Sequence, residues 1–247
     1  MRALLGVILA TTLLFFVTRS SQAGDSDAKS IVDKAITAVG GAEKLAKIEA
    51  FSMKAKGTVV FGGNESDITT EITFKGLDHY RREFGNDQFH GITVLAGDKG
   101  WRKIGDNASS IEGDGVANEK RNIYLAVIPI TLVPLKNNGF KFEAAGEEKV
   151  GEKPAVILKV TGPDGKDFTL SFDKESGLPV KQVAKVIGFQ GQEYTLESTF
   201  SDYKDFGGIK KATKLVLKRD GEKFQDLEVT EFKVLDKVDP DAFTEPK

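Results

Sequence analysis

The chain of 247 residues has no cysteine, two histidines, two methionines and one tryptophan. Without cysteine it can have no disulfide framework, no thiol catalysis and no cysteine-ligated metal site, so its stability must come from core burial. The two histidines, His79 and His90, have no partner residues at a spacing typical of a metal centre. We therefore interpret both as strand or surface residues and expect no metal and no other cofactor.

Long uncharged runs are also scarce, and one of them opens the chain. Arg2 precedes an apolar stretch from Ala3 to Val17, and Ser21-Gln22-Ala23 offers small residues at the positions that a signal peptidase reads. The stretch is shorter than the ~20 apolar residues of a spanning helix. We therefore expect residues 1–23 to be a signal peptide cleaved after Ala23, rather than a retained anchor, and the protein to be exported to the periplasm.

The other uncharged run extends from Asn122 to Leu135. It is too short to cross a bilayer, and Pro129 and Pro134 are expected to break it into short, mobile helical pieces. Such a run must be buried against protein or against a ligand. We predict that residues 118–135 form a helical lid or plug in the concavity of a sheet. The alternative is an ordinary core helix that carries no charge.

The remaining sequence is typical of an antiparallel β protein. A polar leader, Gly24–Lys29, and a helix, Ser30–Val39, precede a pattern of period two that begins at Phe51. Turn signals recur about every 8–12 residues, which predicts roughly a dozen short strands in a single, mainly β domain. Residues 106–115 lack apolar periodicity and are predicted to be a polar loop. The oxygen ligands of this loop do not match the spacing of a calcium site.

Charge and motif content argue against several other classes of protein. The 35 basic and 37 acidic residues are mixed along the chain, which argues against nucleic-acid binding. No Gly-x-Ser-x-Gly elbow and no phosphate-binding glycine loop is present, so we predict no catalytic residues and no enzyme. Lysines on the later strands are interpreted as the solvated face of the sheet, with a docking surface for an anionic partner as the alternative. These lysines are Lys181, Lys185, Lys210, Lys211, Lys214 and Lys218.

Five segments resemble the LolA/LolB-like superfamily of outer-membrane lipoprotein-sorting proteins. They are AITAVGGAEKLAKIEAFSMKAKGTV (35–59), GDKGWRKIG (97–105), LSFDKESGLPVKQV (170–183), FSDYKDFGGIKKATKL (200–215) and VDPDAFTEP (238–246). The resemblance implies one domain, residues 24–247, that is mainly β (α+β). Its strongly curved antiparallel sheet would form an incomplete barrel, with an N-terminal helix and a central helical lid or plug over an apolar cavity. The acceptor form of the family is lipid-anchored through a cysteine, which this chain lacks.

The resemblance also implies a function. We expect a soluble periplasmic carrier, a monomer, that binds acyl chains of lipids or lipoproteins and contacts a membrane or membrane protein only transiently. The first alternative is a sensor module that binds a periplasmic partner protein at the sheet edge. The second is a hydrolase, which would need His79 or His90 close to carboxylates. The residues expected to line the cavity are Phe74, Trp101, Ile123, Val127, Ile130, Leu132, Phe168, Leu170, Phe172 and Phe200.

Overall fold

All strands in the described part of the chain join one antiparallel sheet. The computed structural model describes residues 21–136, 139–188 and 191–247, with side chains from Asp27 onward. Thirteen strands lie in the order β6-β5-β4-β3-β2-β1-β13-β12-β11-β10-β9-β8-β7. Because β6 and β7 form the two edges and do not pair with each other, the sheet is an incomplete barrel. The predicted fold class is confirmed.

The elements have the following bounds. The helices are α1 (Ser21–Val39), α2 (Ala42–Leu45) and α3 (Asp114–Thr131), with 3-10 helices η1 (Val133–Lys136) and η2 (Pro240–Phe243). The first six strands are β1 (Ala50–Phe61), β2 (Asn64–Lys75), β3 (His79–Gly85), β4 (His90–Ala96), β5 (Lys99–Ile104) and β6 (Asn107–Ile111). The others are β7 (Lys141–Val150), β8 (Lys153–Thr161), β9 (Asp167–Asp173), β10 (Pro179–Ile187), β11 (Glu193–Asp205), β12 (Lys210–Arg219) and β13 (Glu222–Val234).

The connectivity is almost entirely local. Each strand pairs with its neighbours in sequence, except that β6 is not joined to β7 and β1 pairs with β13. The latter ladder runs from Phe51 opposite Val234 to Val59 opposite Gln225. This one long-range ladder joins the N-terminal and C-terminal meanders into a continuous curved surface.

Helix α1 is longer than the sequence predicts. Residues 24–29, expected to be a polar leader, are helical, and Ala28 is fully buried one turn before Val32. The predicted start at Ser30 is therefore wrong, because the buried stripe of the helix extends one turn further back than the apolar pattern indicates. Residues 1–20 of the predicted signal peptide lie outside the described residues. The predicted cleavage site, after Ala23, falls in the first turn of α1.

Residues 106–115 are not a loop. Asn107–Ile111 forms β6, which pairs with β5 from Ile104 opposite Asn107 to Gly100 opposite Ile111. An edge strand whose side chains are mostly exposed needs no apolar alternation, so the pattern could not reveal it. Gly113, with φ of 54°, then turns the chain into α3.

The uncharged run forms one helix and a 3-10 turn rather than several short pieces. Pro129 lies inside α3, and the helix continues to Thr131, where Leu132 ends it in the left-handed region at φ of 57°. The predicted break at Pro129 is wrong. Proline has no N–H to donate to the Leu125 carbonyl, and the side chain of Gln182 on β10 donates to that carbonyl instead. Within the described residues, no helix is long and apolar enough to cross a membrane.

Candidate ligand cavity

A cavity of about 450 Å³ lies between α3 and the concave face of the sheet. That volume is within the ~300–1,000 Å³ typical of small-molecule sites. Strands β1 to β5 and β10 to β13 contribute to its walls, together with Ile111 at the end of β6. Its apolar lining consists of Met53, Ile72, Phe74, Ile111, Leu125, Ala126, Pro129, Ile130, Val186, Ile187, Leu196, Phe200, Leu215, Leu217, Phe224 and Leu227.

Strands β11 and β12 present alternate residues to this cavity, as pleating requires. On β12 the lining residues are Lys211, Leu215, Leu217 and Arg219, all at odd positions. On β11 they are Tyr194, Leu196, Ser198 and Phe200, all at even positions. Polar and charged side chains therefore share the concave face with the apolar ones.

The ten residues expected to line the cavity separate into three groups. Phe74, Ile130 and Phe200 line it. Six others are buried in the adjoining core without lining the cavity, namely Ile123, Val127, Leu132, Phe168, Leu170 and Phe172. Trp101 does not face the cavity, because it packs with Ile92, Val94 and Phe243 in a separate cluster. Its neighbour Arg102 faces the cavity instead.

Helix α3 is attached to the sheet by a buried arginine. Arg121 is 3% exposed and donates from Nε to the Lys185 carbonyl at 2.8 Å and from Nη2 to the Asp167 carbonyl at 2.9 Å. Its Nη1 donates to the Tyr124 hydroxyl and, at 3.1 Å, to Asp164 Oδ2. Burial raises the pKa of the Tyr124 hydroxyl, so this group stays protonated.

A second attachment lies nearer to the start of α3. Arg102 Nη2 on β5 donates to Glu119 Oε1 at 2.7 Å, and Glu119 is only 8% exposed. Removing one partner of a buried ion pair strongly destabilises the folded protein, even where the geometry of the pair is good. The helix predicted as a lid or plug thus forms one wall of the cavity, held by polar contacts on both sides.

One lysine is buried inside the cavity. Lys211 is 5% exposed, and its Nζ donates to the Ala212 carbonyl at 3.1 Å. Burial lowers the pKa of Lys211 to about 8. The sequence interpretation placed Lys211 on the solvated face, which is wrong for this lysine. Its odd position, shared with Leu215 and Leu217, is the signal that could have identified it.

The described residues show no metal centre and no histidine in the cavity. No group of three or more His, Cys, Asp or Glu side chains in the described ranges is arranged to hold a metal ion. His79 Nδ1 lies 2.8 Å from Asp78 Oδ1, and His90 Nε2 lies 3.6 Å from Glu83 Oε2. All four side chains are at least one-third exposed, and none lines the cavity.

Comparison with known proteins identifies the fold. No family model and no curated protein matches the sequence. Among solved structures, a LolA superfamily protein from Nitrosomonas europaea has a TM-score of 0.57 at 12% identity, covering 88% of this chain and 97% of that chain. The chain has the LolA-superfamily fold. A DUF1329 family protein from Desulfovibrio piger has a TM-score of 0.56 at 13% identity, covering 88% and 97%.

A domain assigned as an outer membrane lipoprotein-sorting protein, from Vibrio parahaemolyticus, has a TM-score of 0.52 at 11% identity. The match covers 86% of this chain and 97% of that domain. The LolA-type architecture therefore spans almost the whole described chain. The resemblance found in the sequence is confirmed at the level of the fold.

Proposed function

We propose that the protein is an exported periplasmic carrier that binds an acyl chain of a lipid or lipoprotein. The observation that supports this most directly is the cavity of about 450 Å³ under α3, whose lining is mainly apolar. The LolA-type fold of the chain, seen also in a lipoprotein-sorting domain, is consistent with it. Residues 1–23 would be the signal peptide, and residues 24–247 the carrier domain.

The proposed mechanism is non-covalent. Each methylene group moved from water into the cavity gains about 0.8 kcal/mol, so an acyl chain of ordinary length binds by burial alone. Burial of this kind does not by itself drive transfer in one direction. Transfer follows from differences in affinity for the ligand between donor, carrier and acceptor. No catalytic group is needed, and none is proposed.

Two alanines of α3 provide a matched test. Ala126 lines the cavity and is exposed within it, whereas Ala117 is exposed on the same helix and does not line the cavity. Ala126→Trp would fill the cavity without removing a core side chain, and Ala117→Trp is the control. Native mass spectrometry with organic extraction would measure the lipid that co-purifies with each protein.

We expect an acyl ligand on the unaltered protein and on Ala117→Trp, and its loss from Ala126→Trp. A protein that stays free of ligand after incubation with vesicles of phosphatidylethanolamine and phosphatidylglycerol would contradict the proposal. So would equal retention of ligand by both variants.

The edges of the sheet do not favour the alternative, a sensor module that pairs with a partner strand. Edge strand β7 carries charges along its length, including Lys141, Glu143 and Glu147, and its pairing with β8 is irregular between Ala144 and Glu147. The opposite edge, β6, has five residues. Charged, irregular or short edges resist the addition of a further strand.

A further inference from the structure

The charge inside the cavity is opposite to that of the whole protein. The chain has a net charge of −2, yet four basic residues and one acidic residue line the cavity. Glu119 is the acidic one, and it is already paired with Arg102 at 2.7 Å. The other basic residues are Arg82, Lys211 and Arg219. A site for a neutral acyl chain alone does not require this excess of positive charge.

The guanidinium of Arg219 stacks on two aromatic rings of the cavity wall. Its Cζ lies 3.2 Å from the centroid of the Phe224 ring and 4.4 Å from that of Tyr194. Its Nε is buried and has no hydrogen-bond partner within the described part of the chain. Stacking on aromatic rings orients a guanidinium but leaves its in-plane N–H groups available to an acceptor.

Arg82 approaches the same space from β3. Its Nε donates to Thr70 Oγ1 at 3.4 Å, and its Cζ lies 4.8 Å from the centroid of the Phe84 ring. Among the described residues, neither Arg82 nor Arg219 has a carboxylate within ion-pair distance. Burial lowers the pKa of Arg219, and the positive charge of Arg82 lowers it further. Both guanidiniums therefore line one cavity, and within the described ranges neither has a carboxylate partner.

We propose that Arg82 and Arg219 together bind the oxyanion headgroup of a singly charged or doubly charged amphiphile whose acyl chain occupies the cavity. This rests on the proposed function and adds the ligand class, a carboxylate or phosphate lipid rather than a neutral one. Two guanidiniums can donate several parallel N–H groups to one carboxylate or phosphate. An apolar environment strengthens such contacts, because little water competes for the headgroup.

Lys211 is the rival position for the headgroup. It lies eight residues before Arg219 on the same strand, and its Nζ already donates to the Ala212 carbonyl. Arg82 and Arg219 form a pair with directional donors, and Lys211 is a single ammonium group whose burial favours the neutral form. The arginine pair is therefore the better oxyanion site.

Ligands that have the same acyl chain but different headgroups distinguish the contribution of the headgroup to affinity from that of the chain. Palmitate, palmitoyl lysophosphatidate and monopalmitoylglycerol would each be titrated into the lipid-free protein, with inorganic phosphate as a ligand that has no chain. The variant is Arg82→Gln combined with Arg219→Gln. Arg81→Gln is the matched control, because Arg81 neighbours Arg82 on β3, does not line the cavity and pairs with Glu83 at 2.6 Å.

We expect at least one of the two anionic ligands to bind tenfold or more tightly than monopalmitoylglycerol. The double variant should lose that preference and keep its affinity for monopalmitoylglycerol within about twofold, which also shows that it is folded. Arg81→Gln should behave like the unaltered protein. Whether palmitate or lysophosphatidate binds more tightly assigns the headgroup as carboxylate or phosphate, and weak binding of inorganic phosphate shows that the chain is required.

Equal affinity for anionic and neutral ligands in the unaltered protein would overturn the inference and leave the carrier proposal intact. This comparison needs no variant. Loss of the preference in Lys211→Met, with its retention in the double variant, would also overturn it by assigning the headgroup to Lys211. Failure of all three amphiphiles to bind would remove the carrier function and this inference together.

Discussion

Gln182 on β10 donates its Nε2 to the carbonyl oxygen of Leu125 in α3, at 3.1 Å. Leu125 lies four residues before Pro129, so its carbonyl is the one that the missing N–H of Pro129 leaves without a helical donor. Gln182 is 4% exposed and lines the cavity. A side chain of the sheet thus completes the hydrogen bonding of the helix and fixes the distance between the two cavity walls.

Replacing Gln182 should lower stability, because the Leu125 carbonyl loses its donor. In Gln182→Leu, the buried oxygen of Leu125 has no donor, and the free energy of unfolding should fall by about 1–3 kcal/mol. Urea denaturation monitored by circular dichroism measures the change. In a Pro129→Ala background, the introduced alanine can donate its own N–H, so the same replacement should cost less. Equal costs in both backgrounds would show that Gln182 does not act through Leu125.

Removing the anchor of α3 should cost more. Arg121→Met removes the donors that Arg121 supplies to the carbonyls of Lys185 and Asp167, and it leaves Asp164 without its buried cationic partner. The expected loss is about 3–5 kcal/mol in the free energy of unfolding. Lys120→Gln is the control, because Lys120, at the adjacent helix position, forms a solvent-exposed pair with Asp98. A loss in Arg121→Met no larger than that in Lys120→Gln would contradict the assignment of Arg121 as the anchor.

The buried lysine should make stability depend on pH in a defined window. The pKa of Lys211 is lowered from 10.5 to about 8 in the folded protein, so between these two pH values the unfolded chain binds more protons. Stability from this group therefore rises with pH from about 8 to 10.5. Relative to the wild type, Lys211→Met should be stabilised below pH 8 by on the order of 3 kcal/mol, less any cost of repacking, at about 1.4 kcal/mol per pKa unit.

That advantage of Lys211→Met should shrink as the pH approaches 10.5. Chemical denaturation of both proteins at several pH values measures it, and Lys210→Met, at the exposed neighbouring position, should show no such trend. A difference between the wild type and Lys211→Met that is independent of pH would show that Lys211 keeps its ordinary pKa.

Processing of the N-terminus has its own test. The intact mass of the exported protein should correspond to a chain that begins at Gly24, because Ala23 is the last small residue before the expected cut. Ala23→Arg should block cleavage and leave the protein attached to the membrane. A mature chain that retains Met1, or one that begins elsewhere, would contradict the predicted site.

Strand periodicity carried most of the fold prediction. The alternation at Leu215 and Leu217 on β12, or at Leu196 and Phe200 on β11, is set by burial on one face and is visible in sequence. Strand β6 was missed because both its faces are largely polar at an edge. The continuous α3 was missed because the hydrogen bond from Gln182 comes from a residue far away in the chain.

The cavity was harder to predict than the sheet. Arg102 and Trp101 are neighbours on β5 and therefore point to opposite faces, and the structure shows that Trp101 packs with Phe243 of the C-terminal segment while Arg102 faces the cavity. Lys211 was assigned to solvent with Lys210 and Lys214, since a basic residue in a strand is usually exposed. Charged side chains that face a cavity are exceptions to the usual exposure of charged residues, so only the three-dimensional arrangement reveals them.

The pairing of β1 with β13 has a consequence for how the chain reaches its final state. Until Val234 has left the ribosome, β1 can pair on one side only, with β2, and the two meanders cannot join. Contacts between residues so distant in sequence are slow to form, because the entropy of closing the loop must be lost first. Completion of the sheet is therefore a late event in folding. A delay of that kind would suit the export proposed above, in which the polypeptide crosses a membrane unfolded and folds afterwards.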